Sequence, residues 1–213
     1  MLDALGGEHR PTPEPWELVA LENGFDVLFS GVGKSNAAGV TARFFDPRVH
    51  KGVLSVGIAG ALPGSGLRLG ESLIATQSVF GDEGIGAETG FISMSEAGFG
   101  AFPDGSMGRA HDAALLRLLA PLCDRSGVIA TVSWCSGSDA CAAGVVQRTG
   151  ALAEAMEGAS VALAASRVGA SVPTAEVRVI SNTTGDRAKQ RWALDESLVQ
   201  LGAVLGRICE ALG

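Results

Sequence analysis

Two rhythms of apolar and polar residues alternate along this chain. Short runs rich in Val, Ile and Phe read as strands, and longer stretches with apolar residues every third or fourth place read as helices. The runs 16–22 and 25–30 are split by Asn23-Gly24, a turn signal that predicts a β-hairpin. Residues 52–58 are continuously apolar, which predicts a strand buried on both faces, and 70–80, 127–134 and 173–181 predict further strands. Helices are expected over 37–45, 110–123 and 157–168, the first and last built from small residues suited to close packing on a sheet. Leu194, Leu198, Leu201, Leu205, Ile208 and Leu212 then recur at steps of three and four, an amphipathic helix laid over a core. The stretch 81–108 is rich in Gly and Ser, follows neither rhythm, and reads as a long loop of the kind that usually carries function. Alternating strands and helices predict an α/β fold, a three-layer sandwich with a central sheet flanked by helices.

Composition narrows the class. With 213 residues, 46% of them apolar and only 18% charged, the expectation is one domain, 1–213, with one sizeable core. A net charge of −7 argues against nucleic acid or an anionic membrane as partner. The first fifteen residues are polar and proline-rich, so no signal peptide is expected, and no apolar run approaches the ~20 residues of a membrane span. Cys123, Cys135, Cys141 and Cys209 lack CxxC spacing and read as reduced thiols of a cytoplasmic protein. His9, His50 and His111 are scattered, so neither a metal nor another cofactor is expected.

Several short motifs could carry chemistry. Gly33-Lys34-Ser35 looks like the end of a phosphate-binding loop, but the glycine that motif needs five places earlier is Leu28. The plainer reading is a tight strand-to-helix turn at Gly31 and Gly33. Gly57-Ile58-Ala59-Gly60-Ala61 closes an apolar strand, where open α/β sheets bind ligands and where glycines let backbone N–H groups approach a substrate or a water. Glu157 stands among Ala155, Met156, Gly158 and Ala159, a costly place for a carboxylate without partners. It could instead be an acid serving a helix N-terminus. Asn182 closes another apolar strand and could be only a turn-former. Taken together, a carboxylate able to clamp two adjacent hydroxyls and an amide able to pair with a purine edge suggest a nucleoside site.

Ser-Gly-Val-Gly-Lys-Ser-Asn-Ala-Ala (30–38), Gly-Ile-Ala-Gly-Ala (57–61), Leu-Gly-Glu-Ser (69–72), Met-Glu-Gly-Ala (156–159) and Arg-Val-Ile-Ser-Asn (178–182) resemble the nucleoside phosphorylase and nucleosidase superfamily over about 25–213. Gly-Ile-Ala-Gly-Ala and Ile-Ser-Asn, followed by Gly-Asp-Arg (185–187) and Arg-Trp (191–192), are most similar to the futalosine hydrolase branch. The resemblance implies a mixed central sheet, a purine nucleoside as partner and a homo-oligomer. It implies that Met156 packs the ribose and that Glu157 binds its 2′ and 3′ hydroxyls and stabilises the positive charge that develops as the purine leaves. Gly57, Ala59 and Gly60 would line the substrate and water site. The residue after Ile-Ser is the leaving-group acid, an aspartate, in adenosine-type nucleosidases; here Asn182 would donate to N7 and O6 of a 6-oxopurine such as hypoxanthine.

The motif 57–61 holds no hydroxyl and no arginine that could grip phosphate, so water is the expected nucleophile. Relatives open with a strand ending in a water-orienting glutamate, whereas Met1-Leu-Asp-Ala-Leu-Gly-Gly resembles the end of the helix that follows it. On this reading the chain is N-terminally short, lacks that strand and its glutamate, and leaves a gap in the sheet; a wrongly assigned start is the preferred explanation, and the alternatives are a degenerate homologue or a substitute such as Asp82 or Glu83. Loss of a positioned base costs ~10²–10⁴-fold in rate. The competing readings are a methylthioadenosine/S-adenosylhomocysteine nucleosidase and a non-catalytic purine-nucleoside binder.

Overall fold

The computed structural model describes residues 14–21, 23–88, 90–169 and 171–213. The strand β1 (Glu17–Ala20) and β2 (Asp26–Phe29) pair antiparallel with Leu18 opposite Leu28. Gly24, at φ 83°, supplies the left-handed residue their turn needs. There follow α1 (Lys34–Phe44), β3 (Val53–Ala61), β4 (Ser72–Phe80), β5 (Gly84–Ala87), β6 (Gly90–Ser93), β7 (Gly108–Ala110) and α2 (Ala113–Leu119). The chain continues through β8 (Arg125–Thr131), α3 (Asp139–Thr149), β9 (Ala153–Ala155), α4 (Gly158–Val168), β10 (Thr174–Thr183) and α5 (Leu194–Leu212).

Six strands form a mixed sheet in the order β10-β3-β9-β8-β4-β7, which curls far enough that Val177–Val179 of β10 also pairs with Ser72–Ile74 of β4. Helices cover it on both sides. Successive residues of a strand face opposite ways, and β10 uses this to separate two environments. Ala175, Val177 and Val179 join Leu201, Val204, Leu205 and Ile208 of α5 in one apolar cluster. Glu176 and Arg178 point to the other side, where α4 begins.

Several expectations need correction. The apolar strand 52–58 is only half-buried over most of its length. Among the described residues β3 meets β9 only at Gly60 and Ala61, so the rest of that edge has no strand beside it. The stretch 81–108 contains the β5–β6 hairpin and β7 rather than being a plain loop. Leu194 and Leu198 remain exposed on α5; its first turns are buried at Ser197, whose hydroxyl donates to Ile180 O, and the apolar contacts begin at Leu201. The expected opening strand and its glutamate concern the chain before residue 14, which lies outside the described residues.

All four cysteines are free thiols, and burial pushes that of Cys123 up to about 11, away from the reactive thiolate. Among the described residues no helix is long and apolar enough to cross a membrane, and no group of three or more His, Cys, Asp or Glu is placed to hold a metal.

Candidate nucleoside site

β10 and β3 run parallel, and their register brings Arg178 beside Gly57 and Asn182 beside Gly60. The side chain of Arg178 crosses the space that Gly57 leaves open; a Cβ on Gly57 would overlap Nη1. Gly60 does the same for Asn182, whose Nδ2 would sit 3.0 Å from an added Cβ. Glycine at 57 and 60 therefore makes room for side chains from the neighbouring strand, a use that the motif alone did not reveal. A bulge between Ile180 and Asn182 shifts the register by one residue, which turns Asn182 toward Gly60. Ala59 is buried between them.

Glu157 occupies the position just before α4, and its backbone carbonyl accepts from Ser160 and Val161 N–H. Its side chain turns away from the helix. Oε1 accepts from Gly33 N–H at 2.9 Å; Oε2 accepts from Met156 N–H at 3.3 Å and faces Arg178 Nη1 at 3.3 Å. Three groups thus converge on one carboxylate: two backbone N–H groups and a guanidinium. A carboxylate has about four lone-pair sites, so this one retains acceptor capacity for a ligand hydroxyl. Met156 is half-buried next to it. The glycine turn that resembled a phosphate loop serves here to hold Glu157: Gly31 and Gly33 have φ of 77° and 97°, and the N–H of the second meets the carboxylate.

Asn182 is part-buried. Its Oδ1 accepts from Ser181 Oγ at 3.0 Å and its Nδ2 donates to Thr183 O at 3.0 Å. Glu157 and Asn182 do not touch. Arg178, the partner of Glu157, stands beside Gly57 and Asn182 stands beside Gly60, about 10 Å apart along extended chain. Asp82 and Glu83 are both paired with Lys34, and Asp82 also accepts from Ser133 N–H, so neither is a free substitute base.

A cleft of about 270 Å³ is lined by Asp82, Val132, Trp134, Ser136, Cys141 and Arg148 among others, and neither Glu157 nor Asn182 is part of its wall. Buried Glu154 fixes its wall by accepting from Ser136 N–H and Oγ, each at 2.7 Å. Burial raises the Glu154 carboxyl above its ordinary value, and the two serine bonds oppose that shift. Ser136 O accepts from Gln190 Nε2, which ties the cleft to the segment after Asn182.

Sequence reasoning did not assign a role to Arg178, which has as many side-chain partners as Glu157. Its Nε donates to Glu176 Oε1 and its Nη2 to Ser55 Oγ, both at 2.8 Å, and the side chain is 3% exposed. The signal was present in Thr174-Ala-Glu-Val-Arg-Val-Ile-Ser: two opposite charges at i and i+2 of an apolar strand share one buried face.

The profile of the Phosphorylase superfamily matches residues 26–212. The futalosine hydrolase of Streptomyces coelicolor is 35% identical over 199 residues, 90% of this chain and 81% of that protein. The futalosine hydrolase of Acidothermus cellulolyticus is 34% identical over 183 residues, 83% of this chain and 71% of that one. Among solved structures, a mutant Helicobacter pylori MTAN with 5′-methylthioadenosine in its active site superposes with a TM-score of 0.70 at 25% identity, covering 87% of this chain and 79% of that one. The chain belongs to the Phosphorylase superfamily and, within it, to the futalosine hydrolases.

Proposed function

We propose that this protein hydrolyses the N-glycosidic bond of futalosine, releasing hypoxanthine, as a cytoplasmic enzyme of menaquinone biosynthesis that works as a homo-oligomer without a metal or other cofactor. The observation that carries the reading is the Glu157 carboxylate, held by Gly33 N–H and Arg178 at one end of the Gly57–Gly60 segment while Asn182 stands at the other. In this reading Glu157 receives the 2′ and 3′ hydroxyls and Met156 packs the sugar. The negative charge then lies where the oxocarbenium-like sugar becomes positive as the bond breaks, a change of charge that favours the transition state over bound substrate.

Asn182 would exchange its local bond to Thr183 O for the purine, its amide N–H donating to N7 or O6. A 6-oxopurine offers two acceptors there; in adenine N7 remains an acceptor but an exocyclic amine replaces O6, and with Asn182 Oδ1 held by Ser181 Oγ–H that amine would meet a donor and stay unpaired, at a cost of ~1–3 kcal/mol. This favours futalosine over methylthioadenosine. An amide protonates nothing, so departure of the base rests on hydrogen bonding. Water as nucleophile is supported by the occupancy of Arg178: its nitrogens are engaged by Glu176, Ser55 and Glu157, so this guanidinium presents no free fork to phosphate.

The test is a ranking of kcat/KM for futalosine, inosine and methylthioadenosine with the purified protein. Futalosine should rank first. A higher value for methylthioadenosine would contradict the role given to Asn182.

A further inference from the structure

Behind Arg178 lies a second carboxylate that the reaction as described does not use. Glu176 is fully buried, accepts from Arg178 Nε at 2.8 Å on one oxygen and from Ser78 Oγ–H on the other. The single hydroxyl proton of Ser78 is spent on Glu176, so Ser78 Oγ accepts from His111 Nε2, 2.8 Å away. With the ring neutral, His111 Nδ1 is left as an acceptor and takes the Thr174 Oγ1 hydroxyl at 3.3 Å. A continuous chain runs from the Thr174 hydroxyl through His111, Ser78, Glu176 and Arg178, all buried, to half-buried Glu157.

The slot is shaped for this carboxylate. Gly158, the first residue of α4, packs so closely that a Cβ there would overlap the Glu176 carboxyl group. Any larger residue would push Glu176 off its two donors. Charge balance alone does not call for such a slot, since Glu157 already neutralises Arg178. What Glu176 adds is direction. A guanidinium is a rigid planar fork, and Glu176 on Nε with Ser55 on Nη2 fixes its plane, which leaves Nη1 aimed at Glu157.

We propose that Glu176 is a positioning residue for glycosidic cleavage: through Ser78 on one side and Arg178 on the other, it fixes the orientation in which Glu157 meets the sugar. The inference rests on the reading of Glu157 as the ribose carboxylate. A displacement of a catalytic group by even ~1 Å can cost about 100-fold in rate, so the effect belongs in kcat.

The experiment is a double-mutant cycle on the full chain with Glu176→Gln and Arg178→Gln, assayed on futalosine. Glu176→Gln alone should lower kcat by about 10- to 100-fold while KM stays within about threefold. In the Arg178→Gln background it should change kcat by less than about twofold, because the two act in series. Ser78→Ala keeps the carboxylate and removes one anchor; it serves if Glu176→Gln does not fold, and should give a smaller loss that also vanishes in the Arg178→Gln background. Independent multiplication of the two effects, or an unchanged kcat in a merely less stable Glu176→Gln protein, overturns the proposal.

A second readout needs no turnover. The side-chain Nε–H resonance of Arg178 in 15N-labelled protein, assigned by its loss in Arg178→Gln, should move or broaden in Glu176→Gln. An unmoved resonance overturns the proposal. If the wild-type protein releases no hypoxanthine from futalosine, the proposed function fails, and this resonance still decides whether Glu176 orients the arginine.

Discussion

Glu157 Oε2 lies 3.3 Å from Arg178 Nη1, and the arginine is the deeper of the two, 3% exposed against 17%. The carboxylate is thus presented outward by a cation anchored within the sheet. Glu157→Gln keeps the shape and removes the charge. It should lower kcat by about 100- to 1,000-fold, with a modest change in stability because Arg178 keeps Glu176 and Ser55. Arg178→Met strands two carboxylates and should cost about 3–5 kcal/mol of stability. Steady-state kinetics and urea denaturation of both variants separate the two effects.

Gly57→Ala puts a methyl group where Arg178 Nη1 lies. The guanidinium must shift or the strands must part, so a loss of about 1–3 kcal/mol is expected together with reduced kcat. Gly86→Ala, in β5 with open space around the added carbon, should stay within about 0.5 kcal/mol of wild type and retain activity. Denaturation midpoints of the pair check this.

Asn182→Asp replaces a donor at the purine edge with an acceptor. The ratio of kcat/KM for 6-oxopurine over 6-aminopurine nucleosides should fall by about 10- to 100-fold, the equivalent of ~1–3 kcal/mol of hydrogen-bond mismatch. Competition between futalosine and methylthioadenosine reads the ratio directly.

Burial holds His111 below its ordinary pKa of 6.5, against the opposing pull of Glu176 and the Thr174 carbonyl, with Arg109 adding to the depression. The neutral ring is therefore favoured in the folded state, and the unfolded chain binds the proton more readily. The stability this provides is complete above the unfolded value of ~6.5 and is lost as pH falls through 6.5 toward the folded value. The thermal midpoint should decline between pH 8 and 5.5, and His111→Gln should flatten that decline.

Where the elements depended on local pattern, they could be read from the chain. The Asn23-Gly24 hairpin, the helix from Gly158 and the closing strand to Asn182 all stand near their expected places. What was not legible depended on tertiary pairing. α3 was missed although Ser138 caps it and Gly150 ends it at φ 65°, because its small residues give little apolar rhythm. β9 is only Ala153–Ala155 and exists because β8 and β3 flank it. At the site, Glu157 and Asn182 stood out as polar residues in apolar surroundings. The link from Glu157 through Arg178 to Glu176 did not, because it depends on a parallel register between β3 and β10 that no single segment encodes.

The most direct test of the central claim is mass-resolved product analysis of futalosine incubated with the protein in 18O-labelled water, with and without phosphate. The account predicts hypoxanthine and a free sugar product carrying one 18O, at a rate indifferent to phosphate. A phosphorylated sugar formed only when phosphate is present, or no hypoxanthine at all, would contradict it.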